Sequence, residues 1–356
     1  MLAAGRGHEL YDAGVQGQYQ ARYAGRIGTL YIHPPFEALI YLAVAWLPLR
    51  AAYLVWFFLS LIFLAAATYC LAREALGNWD WRLLFAASLI FVPVLLCLAQ
   101  GQDSLLLLLF IALAFTRLRQ NRAFAAGCWL GLGLFKFQIV LPLALALLLA
   151  PNGAARRALA KGLGLVALAL ALLSAALCGW PVFQTYPAFL FHLPAQDFSG
   201  IFPRAMANFR GLAWLLFRDS LDLRVAAVAL LSSAAFVKLL FELRRARPAQ
   251  EKSAPPTLQQ FDSAFAAALL FALLVSYHLN PHDLTLLLLP IVLLLHGISR
   301  ARQDAATWAT AGLLAILFAP LIHIWALRVN AYGLLAIPML LLFMISGLIR
   351  RPSDVP

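Results

Sequence analysis

Apolar runs long enough to cross a bilayer recur along the whole chain and exclude most of the folds open to it. They fall at about Ala51–Leu71, Leu83–Leu98, Ser104–Leu118, Ala158–Cys178, Val225–Phe241, Ala264–Tyr277, Leu284–Ile298, Ala305–Trp325 and Ala331–Ile349. A hydrocarbon core ~30 Å thick takes ~20 apolar residues in a helix. Composition agrees, with 63% of 356 residues hydrophobic, 12% charged and a mean hydropathy of +0.85. The expected class is all-α, a polytopic integral membrane protein folded as a single domain over 1–356.

The formal charge of +12 does not point to nucleic acid. Lys and Arg cluster in short loops beside apolar runs: Arg73 and Arg82; Arg117, Arg119 and Arg122; Arg156, Arg157 and Lys161; Arg244, Arg245, Arg247 and Lys252; Arg300 and Arg302; Arg350 and Arg351. Such loops stay on the cytoplasmic side. The polar stretch 248–260 reads as a cytoplasmic linker. Cys70, Cys97, Cys128 and Cys178 lie in or at the end of apolar runs, which implies neither a disulfide framework nor a Cys-type metal site.

Ala123 to Leu149 breaks the alternation, because basic loops flank both of its ends. A pair of re-entrant half-helices, with Lys136 at the turn facing outward, satisfies both facts. Phe36 to Leu47 is likewise a short element that does not fully cross. Every polar motif then falls on the non-cytoplasmic face, including the 1–35 segment and the large loop Trp180 to Ser220, expected to carry amphipathic helices along the surface. The aromatic stretch Trp46 to Phe58 reads as an interface belt.

The densest motif is Ser276-Tyr277-His278-Leu279-Asn280-Pro281-His282-Asp283, wedged between two apolar runs. Ionisable groups beside lipid mark a functional site. Pro281 spoils the His278/His282 spacing for a metal, so no metal is expected. The histidines fit better as donors to a phosphate, with Asp283 fixing an imidazole tautomer and, with Asn280, capping the next helix. Lys136 and Arg210 are further candidate anion contacts. Gln102-Asp103 opens a helix, with capping and a site role both open for Asp103; His33-Pro34-Pro35 starts a short helix, and the same two roles are open for Glu37. His296 and His323 read as packed.

The order of motifs resembles a known family. Leu10-Tyr11-Asp12, Tyr31-Ile32-His33-Pro34-Pro35-Phe36, Gly101-Gln102-Asp103-Ser104, Lys136-Phe137-Gln138, Met206-Ala207-Asn208-Phe209-Arg210-Gly211 and the Ser276–Asp283 cluster together look like glycosyltransferase family 87 of the GT-C superfamily. The resemblance implies a GT-C-like helical bundle in the cytoplasmic membrane, with short half-helices and outer-face loops. It implies an inverting enzyme that takes a sugar, mannose favoured, from a polyprenyl-phosphate donor to a lipid or glycan acceptor on the outer face, without a cofactor. Lys136, Arg210, His278 and His282 are then candidates for the donor phosphate. Tyr31, His33, Gln102, Gln138, Asn208, Tyr277 and Asp283 would bind substrate, and Asp103 or Glu37 would be the catalytic carboxylate. The family's usual first transmembrane helix and the following Asp-Phe pair, which carries its catalytic aspartate, are not in this sequence, as though its start were set late or the gene were truncated to an inactive product; Asp12, Glu37 and Asp103 are the carboxylates left to stand in for that aspartate. The competing class is a transporter or lipid flippase, for which matched motifs in two halves are expected.

Overall fold

The computed structural model describes residues 1–25, 28–77, 79–149, 153–193, 201–245, 258–301 and 303–348. Among them there is no β-strand, and helices follow one another along the chain. Among the described residues, six stretches are long and apolar enough to cross a membrane, or up to eight if two bent pairs each count as one span. The protein is therefore a multi-pass helical membrane protein, as the apolar runs require.

The N-terminal part carries helix α1 (Ala13–Ala24), a 3₁₀ turn at Pro35–Glu37 and the five-residue α2 (Ala38–Leu42), none of them long enough to span a bilayer by itself. Then come α3 (Leu49–Leu71), α4 (Trp81–Leu89), α5 (Val92–Gln100), α6 (Ser104–Arg119), α7 (Ala123–Leu132), α8 (Phe137–Leu148) and α9 (Gly153–Cys178). The second half comprises α10 (Val182–His192), α11 (Phe209–Leu216), α12 (Leu221–Arg245), α13 (Leu258–Val275), a 3₁₀ stretch Pro281–Leu287, α14 (Leu288–Ser299), α15 (Ala305–Phe318), α16 (Pro320–Arg328) and α17 (Ala336–Ile345).

Several expected spans are altered. Leu83–Leu98 is two helices, α4 and α5, bent by 72°, with Pro93 in the first turn of α5. Ala305–Trp325 is bent by 55° where Pro320 begins α16. Proline lacks the donor that would continue each helix. Within Trp180 to Ser220, α11 is packed into the bundle rather than laid on its surface, with Phe209, Gly211, Leu212 and Ala213 buried. The linker expected at 248–260 lies outside the described residues except for its last three, which open α13.

The segment Ala123–Leu148 could count as one 26-residue span by length and composition. Its packing says otherwise. A Cβ on Gly127 would stand 2.1 Å from the Leu159 carbonyl oxygen, and one on Gly131 2.6 Å from Val166 Cβ, so residue numbers rise together along α7 and α9. The two helices are parallel, and the chain between them must return. It turns at Lys136 (φ −112°, ψ 57°). A Cβ on Gly133 would touch Val140 Cγ2 at 3.2 Å, a contact that a straight helix, with seven residues spanning ~10 Å, does not allow. α7 and α8 are thus the expected half-helices. Gly127-x-x-x-Gly131 and Gly162 let the backbones of α7 and α9 meet. Gly127→Leu should force them apart and lower the melting temperature of detergent-solubilised protein, at a cost of at least ~1–3 kcal/mol for overpacking. An unchanged melt would contradict the close approach.

Candidate functional site

Helices α6 and α13 fix two ends of the bundle. At one end Arg119 pairs with Asp262 at 3.0 Å. At the other, Asp103 and Ser104 begin α6, α13 stops at Val275, and Pro281–Leu287 starts the return. Lys136 arrives at this second end because the half-helices turn there. Its ammonium lies 2.8 Å from Asp103 Oδ1 and 2.5 Å from Asp283 Oδ1, and it donates to Ser104 Oγ at 2.8 Å. Ser104 Oγ in turn donates to Asp283 Oδ1 at 2.8 Å. Lys136 is 1% exposed. The lysine expected to face outward as an anion receptor is instead enclosed, with all three of its donors engaged. Burying an ammonium is tolerated only with such compensation.

Asp283 has a double task. Its Oδ2 accepts from the Asn280 backbone N–H at 2.8 Å, which is the expected cap, while Oδ1 faces Lys136 and Ser104. Asp103 stands at the N-cap position of α6 but makes no side-chain cap hydrogen bond, because its carboxylate points to Lys136. His282 Nδ1 is 2.8 Å from Gln100 Oε1, and its Nε2 is 3.7 Å from Asp283 Oδ1. His278 is buried, with Nε2 3.0 Å from the Asn280 side-chain amide and Nδ1 without a hydrogen-bond partner.

His33 and Glu37 complete the cluster. His33 Nδ1 is 2.9 Å from Glu37 Oε2; Glu37 is buried, while the His33 side chain is 26% exposed. The imidazole is therefore the opening of an otherwise closed centre. One ligand atom each from His33, Glu37 and Asp103 lie within 4.8 Å of one another. Three tyrosines hold this turn from outside. The hydroxyls of Tyr186, Tyr11 and Tyr31 donate to the successive backbone carbonyls of Ile32 (3.2 Å), His33 (2.7 Å) and Pro34 (2.8 Å). Gln16 Oε1 accepts from the Tyr31 N–H at 2.6 Å.

Other expected site residues are placed differently. Asn208 is fully buried; its amide donates to the Ser276 carbonyl at 2.6 Å and its Oδ1 accepts from the Gly211 N–H, so it braces the Ser276 segment. Arg210 lies 4.1 Å over the exposed Tyr277 ring and donates to the Tyr277 carbonyl at 3.1 Å. Gln102 and Gln138 are half-buried, and Gln102 meets the Trp56 indole N–H through its backbone carbonyl. His323 is packed as expected, between the Tyr332 hydroxyl (2.6 Å) and the Leu317 carbonyl (2.7 Å). Sequence reasoning passed over Ser104, Gln100, Tyr11 and Tyr186 as site residues. Ser104 and Tyr11 stand in quoted motifs and Gln100 directly precedes one, whereas Tyr186 has no local signal.

Two grooves flank the His33–Glu37 turn. One, about 260 Å³, is walled by Pro34, Pro35, Phe36, Phe137, Ala171 and Tyr186 and is mostly apolar. The other, about 290 Å³, is lined by Leu10, Gln16, Tyr19, Gln20, Tyr31 and Tyr41 among others.

Burial pushes the His278 imidazole down to about 4 from its ordinary 6.5, with Asp283 pulling the other way. Between those values the unfolded chain binds the proton and the folded chain does not, so stability rises with pH across that window and is lost below it. The melting temperature should climb from pH 4.5 to 6.5 and then level. His278→Gln should reduce the climb; an unaltered slope would assign it to another group.

The fold and this charged centre define a multi-pass membrane protein with a cluster of ionisable groups at one end of its bundle. The chain belongs to glycosyltransferase family 87, whose family model matches residues 31–276, more than half of its length. It is thus a membrane glycosyltransferase. No curated protein and no solved structure is significantly similar to it. The match covers His33, Glu37, Asp103 and Lys136 and stops before Asp283.

Proposed function

We propose that this glycosyltransferase moves a sugar, mannose favoured, from a polyprenyl-phosphate donor to a lipid or glycan acceptor, inverting the anomeric centre. The observation that carries the reading is a groove on each side of the His33–Glu37 turn, one walled in part by Pro34, Pro35 and Phe36 and the other by Tyr31 and Ala38. The apolar groove suits a polyprenyl chain, because it adjoins the face of α9 where Leu168 and Leu172 are exposed to lipid. The second groove sets tyrosines and glutamines among apolar residues such as Leu2, Leu10 and Leu42, which suits an acceptor with both a lipid part and hydroxyl groups. Basic loops put the opposite end of the bundle in the cytoplasm, so the centre faces outward across the cytoplasmic membrane.

In the proposed reaction the acceptor oxygen attacks the anomeric carbon, the bond to the phosphate oxygen breaks, and its electron pair leaves on the phosphate. Glu37 takes the acceptor's proton and His33 orients its carboxylate. His278, His282 and Arg210 receive the departing phosphate. Asp103 is a weaker choice of base, because Lys136 already neutralises it. Lys136 supplies positive field from behind and touches no substrate.

The test is transfer of labelled mannose from polyprenyl-phosphate-mannose by purified full-length protein, with lipid extract from its own membranes as acceptor. Labelled glycolipid or glycan is expected. Transfer from nucleotide sugars alone would sink the lipid-donor reading.

A further inference from the structure

We propose that His33, Glu37 and Asp103 form a binding site for a divalent cation. The proposal deepens the reading of this cluster as the reaction centre, while its grounds are geometry and charge. One nitrogen and two carboxylate oxygens converge within 4.8 Å of one another. Drawing them in by less than about 1 Å would give ion–ligand distances of ~2.0–2.3 Å. Imidazole with carboxylates suits Mn²⁺ or Zn²⁺, and the carboxylates admit Mg²⁺.

Charge supplies the independent argument. Three buried carboxyl groups, those of Glu37, Asp103 and Asp283, stand beside one ammonium, that of Lys136, with the His33 and His282 imidazoles as the other basic groups. Buried charges need a counter-charge. Asp103 Oδ2 is buried and receives no hydrogen bond, and the same holds for Glu37 Oε2 apart from its ion pair with His33. A divalent cation at this point answers both the charge and the orphaned oxygens.

The supports are those of a built site. Lys136 holds Asp103 from behind, and the Tyr11, Tyr31 and Tyr186 hydroxyls hold the backbone that carries His33. Ligands fixed by outer partners bind metal better. His33, the one partly exposed member, gives the ion a route in and leaves coordination positions open for a phosphate or hydroxyl oxygen. Because each residue offers one ligand atom, the second Glu37 oxygen remains available as the proposed base.

The test uses the full chain, purified with EDTA and dialysed against Mn²⁺. About one Mn²⁺ per chain is expected, with an electron spin-echo signature of one coupled imidazole nitrogen. Glu37→Gln, nearly isosteric, should weaken binding at least tenfold. His33→Ala should remove the nitrogen coupling; if it fails to fold, Glu37→Gln alone decides. No bound Mn²⁺ or Zn²⁺ above a detergent blank, or wild-type affinity in Glu37→Gln, overturns the proposal. Transfer that persists in EDTA with no bound metal overturns the cation and sustains the transferase reading. Bound metal with no transfer from any lipid-phosphate sugar does the converse.

Discussion

Lys136→Ala destabilises the folded protein by about 3–5 kcal/mol, the range for removing one partner of a buried ion pair. The substitution leaves Asp103 and Asp283 facing each other, 1% exposed each, with no ammonium between them. Ser104 keeps only one of its two partners, and the turn between α7 and α8 loses its anchor. Thermal melts in detergent and the monodisperse fraction after size exclusion would register the loss. Lys136→Met with Asp103→Asn and Asp283→Asn should recover much of the stability, since it removes all three charges together. A single Lys136→Ala protein as stable as the parent would contradict the buried triad. A stable but inactive Lys136→Ala protein would return Lys136 to direct substrate contact.

Glu37→Gln is expected to lower transfer by ~10²–10⁴-fold, the contribution typical of a positioned general base. Folding should be largely retained, because the amide keeps the size of the carboxylate and can still meet His33. The variant also separates Glu37 from Asp103. Asp103→Asn removes a charge that Lys136 requires, so its first effect should be on stability. Equal activity in Glu37→Gln and parent would eliminate Glu37 as the base.

Much of the fold was legible in the chain because lipid imposes simple rules. The lengths of the apolar runs and the basic loops gave the helical class, and basic flanks at both ends of 123–149 exposed the half-helix pair. Pro281 and Asn280-x-x-Asp283 announced the restart of the helix after α13. The bends at α4–α5 and α15–α16 were less legible, because apolar composition continues across both and only a proline marks each break.

The charged centre was half legible. Each polar motif was visible as an island in apolar sequence, and their order pointed to the family. Whether two such islands touch depends on helix direction and register, which no local pattern records. Lys136 in isolation looks like an anion receptor. It becomes a structural cation only when α6 presents Asp103 and Ser104 to it and Pro281–Leu287 presents Asp283. Asn208 reads as a substrate contact until its amide is found on the Ser276 carbonyl.

The sequence by itself therefore determined a multi-pass helical bundle, its two half-helices and the set of polar residues from which a site could be built, because the cost of polar groups in lipid acts locally. The tertiary structure alone decided which of those residues pair. Asp103 and Asp283 share the Lys136 ammonium, while His33 pairs with Glu37, because the energy of a buried charge depends on its neighbours in space rather than on its neighbours along the chain.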